Sequence, residues 1–299
     1  MPSSLVAKNI GLLSAITEDP PAGITTGAIF GDVGTFKTTL LCSACEAFDP
    51  ERVLIITCDR FDQTIQRLKP RYIDLMAAKS SQSLWDKLRS LVTELRQKDK
   101  GTFDFLGFDG ISKLAKLLLI DARQARDEHA DATSYYEQRD YGRVTSQLSE
   151  VFWSLREIAI AKSFHFWWTA WERWEFIDAP DAKSKGYFRF FPDLTPELGR
   201  VLRHDLDFVG RAVVESTRVG AGGGSLTTVS RDVSVVQFGS RKEAAVKNRV
   251  GFPDRMENPT VGKLLAESKG EYQVGSEHET AEESDDETVL IGAGKASKN

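Results

Sequence analysis

Cysteine is scarce in this chain, and nothing in it would anchor it in a membrane or mark it for secretion. Three cysteines in 299 residues cannot build a disulfide framework, which points to a reducing compartment. Cys42 and Cys45 form a C-x-x-C, but with no second pair and no nearby His they read as small apolar residues of a helix rather than as metal ligands. No apolar run approaches the length needed to cross a bilayer. The start, Met-Pro-Ser-Ser-Leu-Val, lacks the basic residues and long apolar stretch of a secretory signal, so a cytoplasmic protein without a membrane partner is expected. There is no internal repeat. Charge of either sign is also nearly absent from the body as a net quantity. Of 44 acidic and 39 basic residues, nine and three respectively lie from Ala266 onward, leaving the rest within one charge of neutrality. Residues 266–299 are therefore expected to form an acidic, disordered tail. It could serve solubility, docking, or competition with nucleic acid for a basic groove.

What is present is an ordinary globular composition with short apolar runs alternating with longer helical stretches, the pattern of a parallel α/β sheet. Strands are expected at Gly27–Phe30, Val53–Thr57, Phe103–Phe108, Phe164–Thr169 and Phe208–Glu215. Helices are expected at Thr38–Ala47, Ser83–Gln97, Tyr141–Ala161 and Pro196–Leu202. Thr195-Pro196 supplies the last with an N-cap and a first-turn Pro. The glycine turn Gly220–Gly224 and the Val/Thr-rich Ser225–Phe238 suggest antiparallel strands finishing the sheet. An N-terminal extension of residues 1–20 precedes a domain of residues 21–265.

Gly31-Asp32-Val33-Gly34-Thr35-Phe36-Lys37-Thr38-Thr39 follows the apolar run Ala28-Ile29-Phe30 and opens a helix. This is the layout of a phosphate-binding loop. Gly31 and Gly34 let the backbone turn its N–H groups onto phosphates, and the helix points its positive end at the same oxygens. Lys37 would reach the outer phosphates and the Thr38 hydroxyl would ligate Mg²⁺. The usual second Gly is here Phe36, which still offers a backbone N–H if its angles are allowed.

Two further strands end in carboxylates. Phe103–Asp109 would place Asp109 facing the phosphates to hold Mg²⁺, with Asp104 at the strand's far end. Val53–Asp59 would place Asp59 at the tip of the strand next to the phosphate loop, where it could orient and deprotonate water; Asp62 is the rival for that role.

In this order of motifs the chain resembles the phage RecA-like ATPases that serve as single-strand annealing proteins, over about residues 20 to 265. Phe166-Trp167-Trp168-Thr169-Ala170-Trp171-Glu172 stands where the family has a strand ending Thr-Ala-His-Glu. Pro192-Asp193-Leu194-Thr195, Asp207-Phe208-Val209-Gly210, Val246-Lys247-Asn248-Arg249-Val250-Gly251 and Gly262-Lys263-Leu264-Leu265 follow in family order. The resemblance implies a RecA-like P-loop core using ATP and Mg²⁺, a DNA-dependent ATPase acting in phage recombination or replication inside the bacterial host cytoplasm. It implies head-to-tail assembly into a ring or filament, with Lys247 and Arg249 reaching the neighbour's nucleotide, and a single-strand-binding protein as a candidate partner. Trp171 departs from the family His that is a candidate γ-phosphate sensor; an indole has a donor but no acceptor, so that switch would pass to Thr169 or Glu172, or be weakened.

The family's loop after this strand faces single-stranded DNA. Here Arg173 to Arg189 contains Arg173, Trp174, Lys183, Lys185, Tyr187, Phe188 and Arg189, a mixture suited to stacking bases and neutralising phosphates. Arg123 to Arg143 is a second candidate. Trp153, Trp167 and Trp168 are expected in the core. Two other readings stay open: a hexameric DNA motor, though no helicase-loading domain is visible, and a nucleotide-binding regulator with weak hydrolysis.

Overall fold

Residues buried on both faces of a parallel sheet must be apolar at every position, and Val53-Leu54-Ile55-Ile56 is such a run. In the computed structural model, which describes residues 23–58, 63–76, 83–126, 135–178, 186–220, 228–239 and 244–268, this run is a central strand. The elements in chain order are β1 (Thr26–Gly31), α1 (Lys37–Cys42), α2 (Ala44–Ala47), β2 (Val53–Thr57), α3 (Gln63–Leu68), β3 (Arg71–Asp74), α4 (Leu84–Gln97), β4 (Phe105–Asp109), α5 (Ile111–Arg126), α6 (Gln138–Lys162), β5 (His165–Ile177), β6 (Tyr187–Pro192), α7 (Pro196–His204), β7 (Phe208–Gly220), β8 (Thr228–Gln237), β9 (Lys247–Asn248), β10 (Arg255–Glu257) and α8 (Val261–Ser268).

The sheet order is β10-β8-β7-β1-β5-β4-β2-β3. The strands from β7 to β3 are parallel, and β8 and β10 add antiparallel at the C-terminal end. The expected α/β class, with a mostly parallel sheet and antiparallel strands last, is the one observed. Alternation along the strands feeds two cores. Ala28, Phe30, Ile56, Phe108 and Trp168 pack under α4, α5, α6 and α7. Ile29, Ile55, Phe105, Trp167 and Phe208 pack under α1, α2 and α8.

Several expectations need correction. The strand leading to Asp59 is not next to the phosphate loop, because β5 and β4 lie between β1 and β2. Helix Thr38–Ala47 is two segments parted at Ser43, whose Oγ donates to Leu40 O and accepts from Val261 N, so it ties α8 down instead of continuing the helix. The segment after Thr169 is not simply a loop: β5 runs on to Ile177 and pairs antiparallel with β6. Trp153 is not core but 58% exposed on α6. Of the Arg123–Arg143 candidate, residues 127–134 lie outside the described residues and Tyr135 is exposed, while two of its arginines are held within the fold. Arg123 is buried with its guanidinium over the Tyr136 ring, and Arg126 pairs with Glu137 and Asp140 at the start of α6. Residues 1–22 and 269–299 lie outside the described residues, and residues 266–268, the first of the expected disordered tail, are instead the end of α8.

Candidate functional site

The turn between β1 and α1 is shaped by two glycines and a Phe. Gly34 has φ +82, open to it without a Cβ penalty. A Cβ on Gly31 would stand 2.4 Å from Ala212 O and 2.7 Å from Thr35 Oγ1, so the loop closes only around a glycine. Phe36, the N-cap of α1, adopts φ 46, ψ 14, the left-handed region the usual glycine occupies freely. Its ring, packed against the core beneath α1, holds it there.

Lys37 Nζ lies back along the loop, donating to Gly31 O (3.0 Å), Asp32 O (2.6 Å) and Thr35 Oγ1 (3.0 Å). Thr38, in the first turn of α1, donates from its hydroxyl to Asp109 Oδ2 at 2.7 Å. Asp109 ends β4, two strands along the sheet, and is buried. Its other oxygen accepts from the Thr169 hydroxyl of β5 at 2.5 Å, and Gly110 N donates to the same Thr169 Oγ1. The start of α1 and two strands thus converge on one carboxylate.

Val33 to Thr39, Asp109, Gly110, Thr169 and Trp171 line a single cleft of about 310 Å³. Trp171 forms part of its wall; its amide donates to Ser112 Oγ, and Lys116, paired with Asp193 at 2.8 Å, places its ammonium 4.6 Å from the ring centre. The structure therefore brings together Gly34 to Thr39, Lys37, Thr38 and Asp109. Asp59 and its rival Asp62 lie outside the described residues; β2, which leads to them, is adjacent to β4 with Thr57 level with Asp109. Cys42 is buried, and burial first, then Glu46, pushes the Cys45 thiol up to about 11, as suits unreactive packing residues.

Lys247 and Arg249 are at the opposite end of the strands from the phosphate loop, where β9 pairs with the start of β7. Lys247 pairs with Val209 and the Arg249 amide donates to Asp207 O at the start of β7, whereas Gly31 is level with Ala212. Five residues at about 3.3 Å each put the backbone of Arg249 about 16 Å along the strands from the chain's own phosphate loop. Lys247 Nζ donates to Arg203 O and His204 O, capping the C-terminal end of α7. Burial, and then Arg249, lowers its pKa.

Of the expected nucleic-acid residues, Lys183 and Lys185 lie outside the described residues. Arg173, Trp174 and Arg189 are on the β5–β6 hairpin, but on opposite faces. Register pairs Arg173 with Phe191 and Glu175 with Arg189 on one face, and Trp174 with Phe190 and Phe176 with Phe188 on the other. Trp174, Phe176 and Phe188 are more than half exposed and touch edge to face. At the hairpin's root Arg211 pairs with Glu172 (2.6 and 3.1 Å) and lies 3.5 Å from the Phe190 ring centre. Sequence reasoning missed Arg203, Arg211, Lys116 and Ser112. Among their partners Glu172 and Trp171 stand in a motif, but nothing in the sequence marks these four themselves.

A strand, a glycine turn and a Lys-Thr helix start, set opposite a buried carboxylate at the end of a strand two places along the sheet, define a P-loop nucleoside triphosphatase. The family comparison agrees: a model described as an AAA domain matches residues 25–250, and the chain belongs to that family. Among solved structures it is similar to the RadB recombinase, at 11% identity over 78% of this chain and 86% of that one with a TM-score of 0.41. It is also similar to the flagellar accessory protein FlaH from Methanocaldococcus jannaschii, at 11% identity over 80% and 87% with a TM-score of 0.38. No curated protein matches the chain.

Proposed function

We propose that the protein is a RecA-like ATPase that binds ATP with Mg²⁺ and acts on single-stranded DNA, promoting annealing in phage recombination or replication. The observation that carries the nucleotide reading is the meeting of the loop, Lys37, Thr38, Asp109 and Thr169 in one cleft. The loop amides and the N-terminus of α1 would bind the phosphates. Lys37 would leave the loop carbonyls for the outer phosphate oxygens, a charge-assisted exchange. Thr38 and Asp109 already share a hydrogen bond, and their hard oxygens fit Mg²⁺, held by the carboxylate directly or through water. Mg²⁺ held there would supply neutralisation of the charge on the phosphates. Asp59 remains the proposed water-orienting base. Arg249, with Lys247, is the proposed finger for a neighbouring copy's nucleotide, since its place at the starting end of the strands puts its backbone well away from the chain's own loop at their other end.

The DNA reading is supported by the hairpin, which continues β5 directly out of the nucleotide cleft. Thr169 holds Asp109, Glu172 holds Arg211, and Arg173 and Trp174 follow within two residues. ATP hydrolysis measured with and without single-stranded DNA, beside an annealing assay, tests it. Turnover raised by the single strand, with annealing that requires ATP, is expected; turnover indifferent to DNA and no annealing would contradict it. The weak-hydrolysis regulator is favoured by one observation, the left-handed Phe36, and predicts ATP binding with negligible turnover under either condition.

A further inference from the structure

Three guanidinium groups gather where the hairpin meets α7. Arg173 and Arg189 both lie over the Phe191 ring, at 5.5 and 5.3 Å from its centre. Arg203 faces them from α7 across a small pocket that Arg173, Phe191 and Arg203 line. Burial, then Arg189 and Arg173, pull the Arg203 guanidinium below its ordinary range, so the three cations feel one another. Few acids answer them. Glu175 pairs with Arg173 at 2.6 Å and Glu197 with Arg200 at 2.7 Å. The buried Nε atoms of Arg173 and Arg189 have no hydrogen-bond partner among the described residues. Like charges brought this close, with donors left unsatisfied, are destabilising unless an anion completes them. The cluster opens into a cleft of about 450 Å³ lined by Arg189, Arg200, Arg203, His204, Lys247 and Arg249, with no carboxylate among its lining residues.

We propose that Arg173, Arg189 and Arg203 form a phosphate-binding cleft whose ligand is the backbone of a single nucleic-acid strand, so that α7, and not the hairpin alone, is part of the strand's path. This rests on the DNA reading above and adds Arg203, on a helix no motif pointed to. Planar guanidinium forks suit phosphodiester oxygens, and the cations continue from the hairpin past α7 to β9, which offers a strand successive phosphate contacts. The exposed face of Trp174, Phe176 and Phe188 is turned away from this cleft, so phosphates and stacked bases are held on opposite sides of the hairpin.

The test is the salt dependence of binding of the full chain to oligo-dT and to a mixed-sequence single strand, for wild type, Arg203→Gln and Arg189→Gln. Each variant should weaken binding to both oligonucleotides alike, by about tenfold at low salt. The slope of log affinity against log salt should fall by about 0.7 for each phosphate that the protein no longer neutralises. ATP turnover without DNA should stay at the wild-type rate. Arg189→Gln lies on the hairpin and keeps the test open should Arg203→Gln fold poorly. If wild type binds single strands and both folded variants keep its affinity and slope, the cleft is wrong while the DNA reading stands. If wild type binds no single strand, both fall. If the variants lose ATP turnover at unchanged DNA affinity, the cluster serves a neighbouring nucleotide and the inference is overturned.

Discussion

Phe36 occupies the one position of the phosphate loop where the residue type and the backbone disagree. A left-handed conformation costs a non-glycine residue about 1–2 kcal/mol, and the ring's packing against the core beneath α1 offsets it. Phe36→Gly exchanges one for the other, so ATP affinity should stay within about threefold of wild type. Phe36→Val is worse on both counts, because a β-branched residue tolerates positive φ least; its affinity, read by calorimetric titration, should fall by about tenfold or more. Lys37 is also more than a surface cation. Its ammonium bonds three oxygens of the loop, so Lys37→Ala should lower stability by about 1 kcal/mol as well as removing ATP binding. Asp59→Asn keeps shape and removes the proposed base: ATP should bind while turnover falls by about 10²-fold or more. The same phenotype from Asp62→Asn alone would reassign the role.

Among the elements, β5 carries most of the logic. One strand of thirteen residues passes Thr169 to the Asp109 carboxylate, Trp171 to the cleft wall, Glu172 to Arg211 and Trp174 to the surface. Glu172 and Arg211 are 12% and 16% exposed; parting them strands a largely buried charge. Glu172→Gln should destabilise by about 3 kcal/mol and reduce stimulation of turnover by single-stranded DNA to near the basal rate, with ATP binding kept. Stimulation left at the wild-type level in a folded variant would mean that this pair does not link hairpin to cleft.

The elements also show what is legible in the sequence. β2 can be read to the residue, and α7 from its Thr195-Pro196 start, because apolar runs and caps are local signals. The Thr38–Asp109 pairing follows from each lying at the end of a strand or the start of a helix. Strand order is not local, and the insertion of β5 and β4 between β1 and β2 leaves no mark in either segment. The hairpin is legible in part. Trp174, Phe176, Phe188 and Phe190 alternate with Arg173, Glu175, Arg189 and Phe191, a period of two that mixed charge and aromatic content disguises as loop. Arg203 is invisible because its role arises only where α7 meets the hairpin.

For the whole molecule, the separation of Arg249 from its own loop bears on assembly. An Arg249→Ala protein should bind ATP but hydrolyse it poorly, and mixing it with Lys37→Ala should recover part of the activity, since a junction can then join an intact loop to an intact finger. No recovery at any ratio, with mixed assembly demonstrated, would exclude a finger in trans. The acidic segment from Ala266 competes, on the electrostatic reading, for the basic cleft. Deleting it should tighten single-strand binding at low salt, with the gain shrinking as salt rises. Equal affinity at low salt would leave it a solubility or docking segment. Underneath both lies the claim that the β1–α1 loop is a nucleotide phosphate site. Calorimetric titration of ATP with Mg²⁺ into wild type and folded Lys37→Ala tests it most directly. Saturable binding by wild type that Lys37→Ala loses is the predicted result; equal binding by the two, or none by wild type, would contradict it.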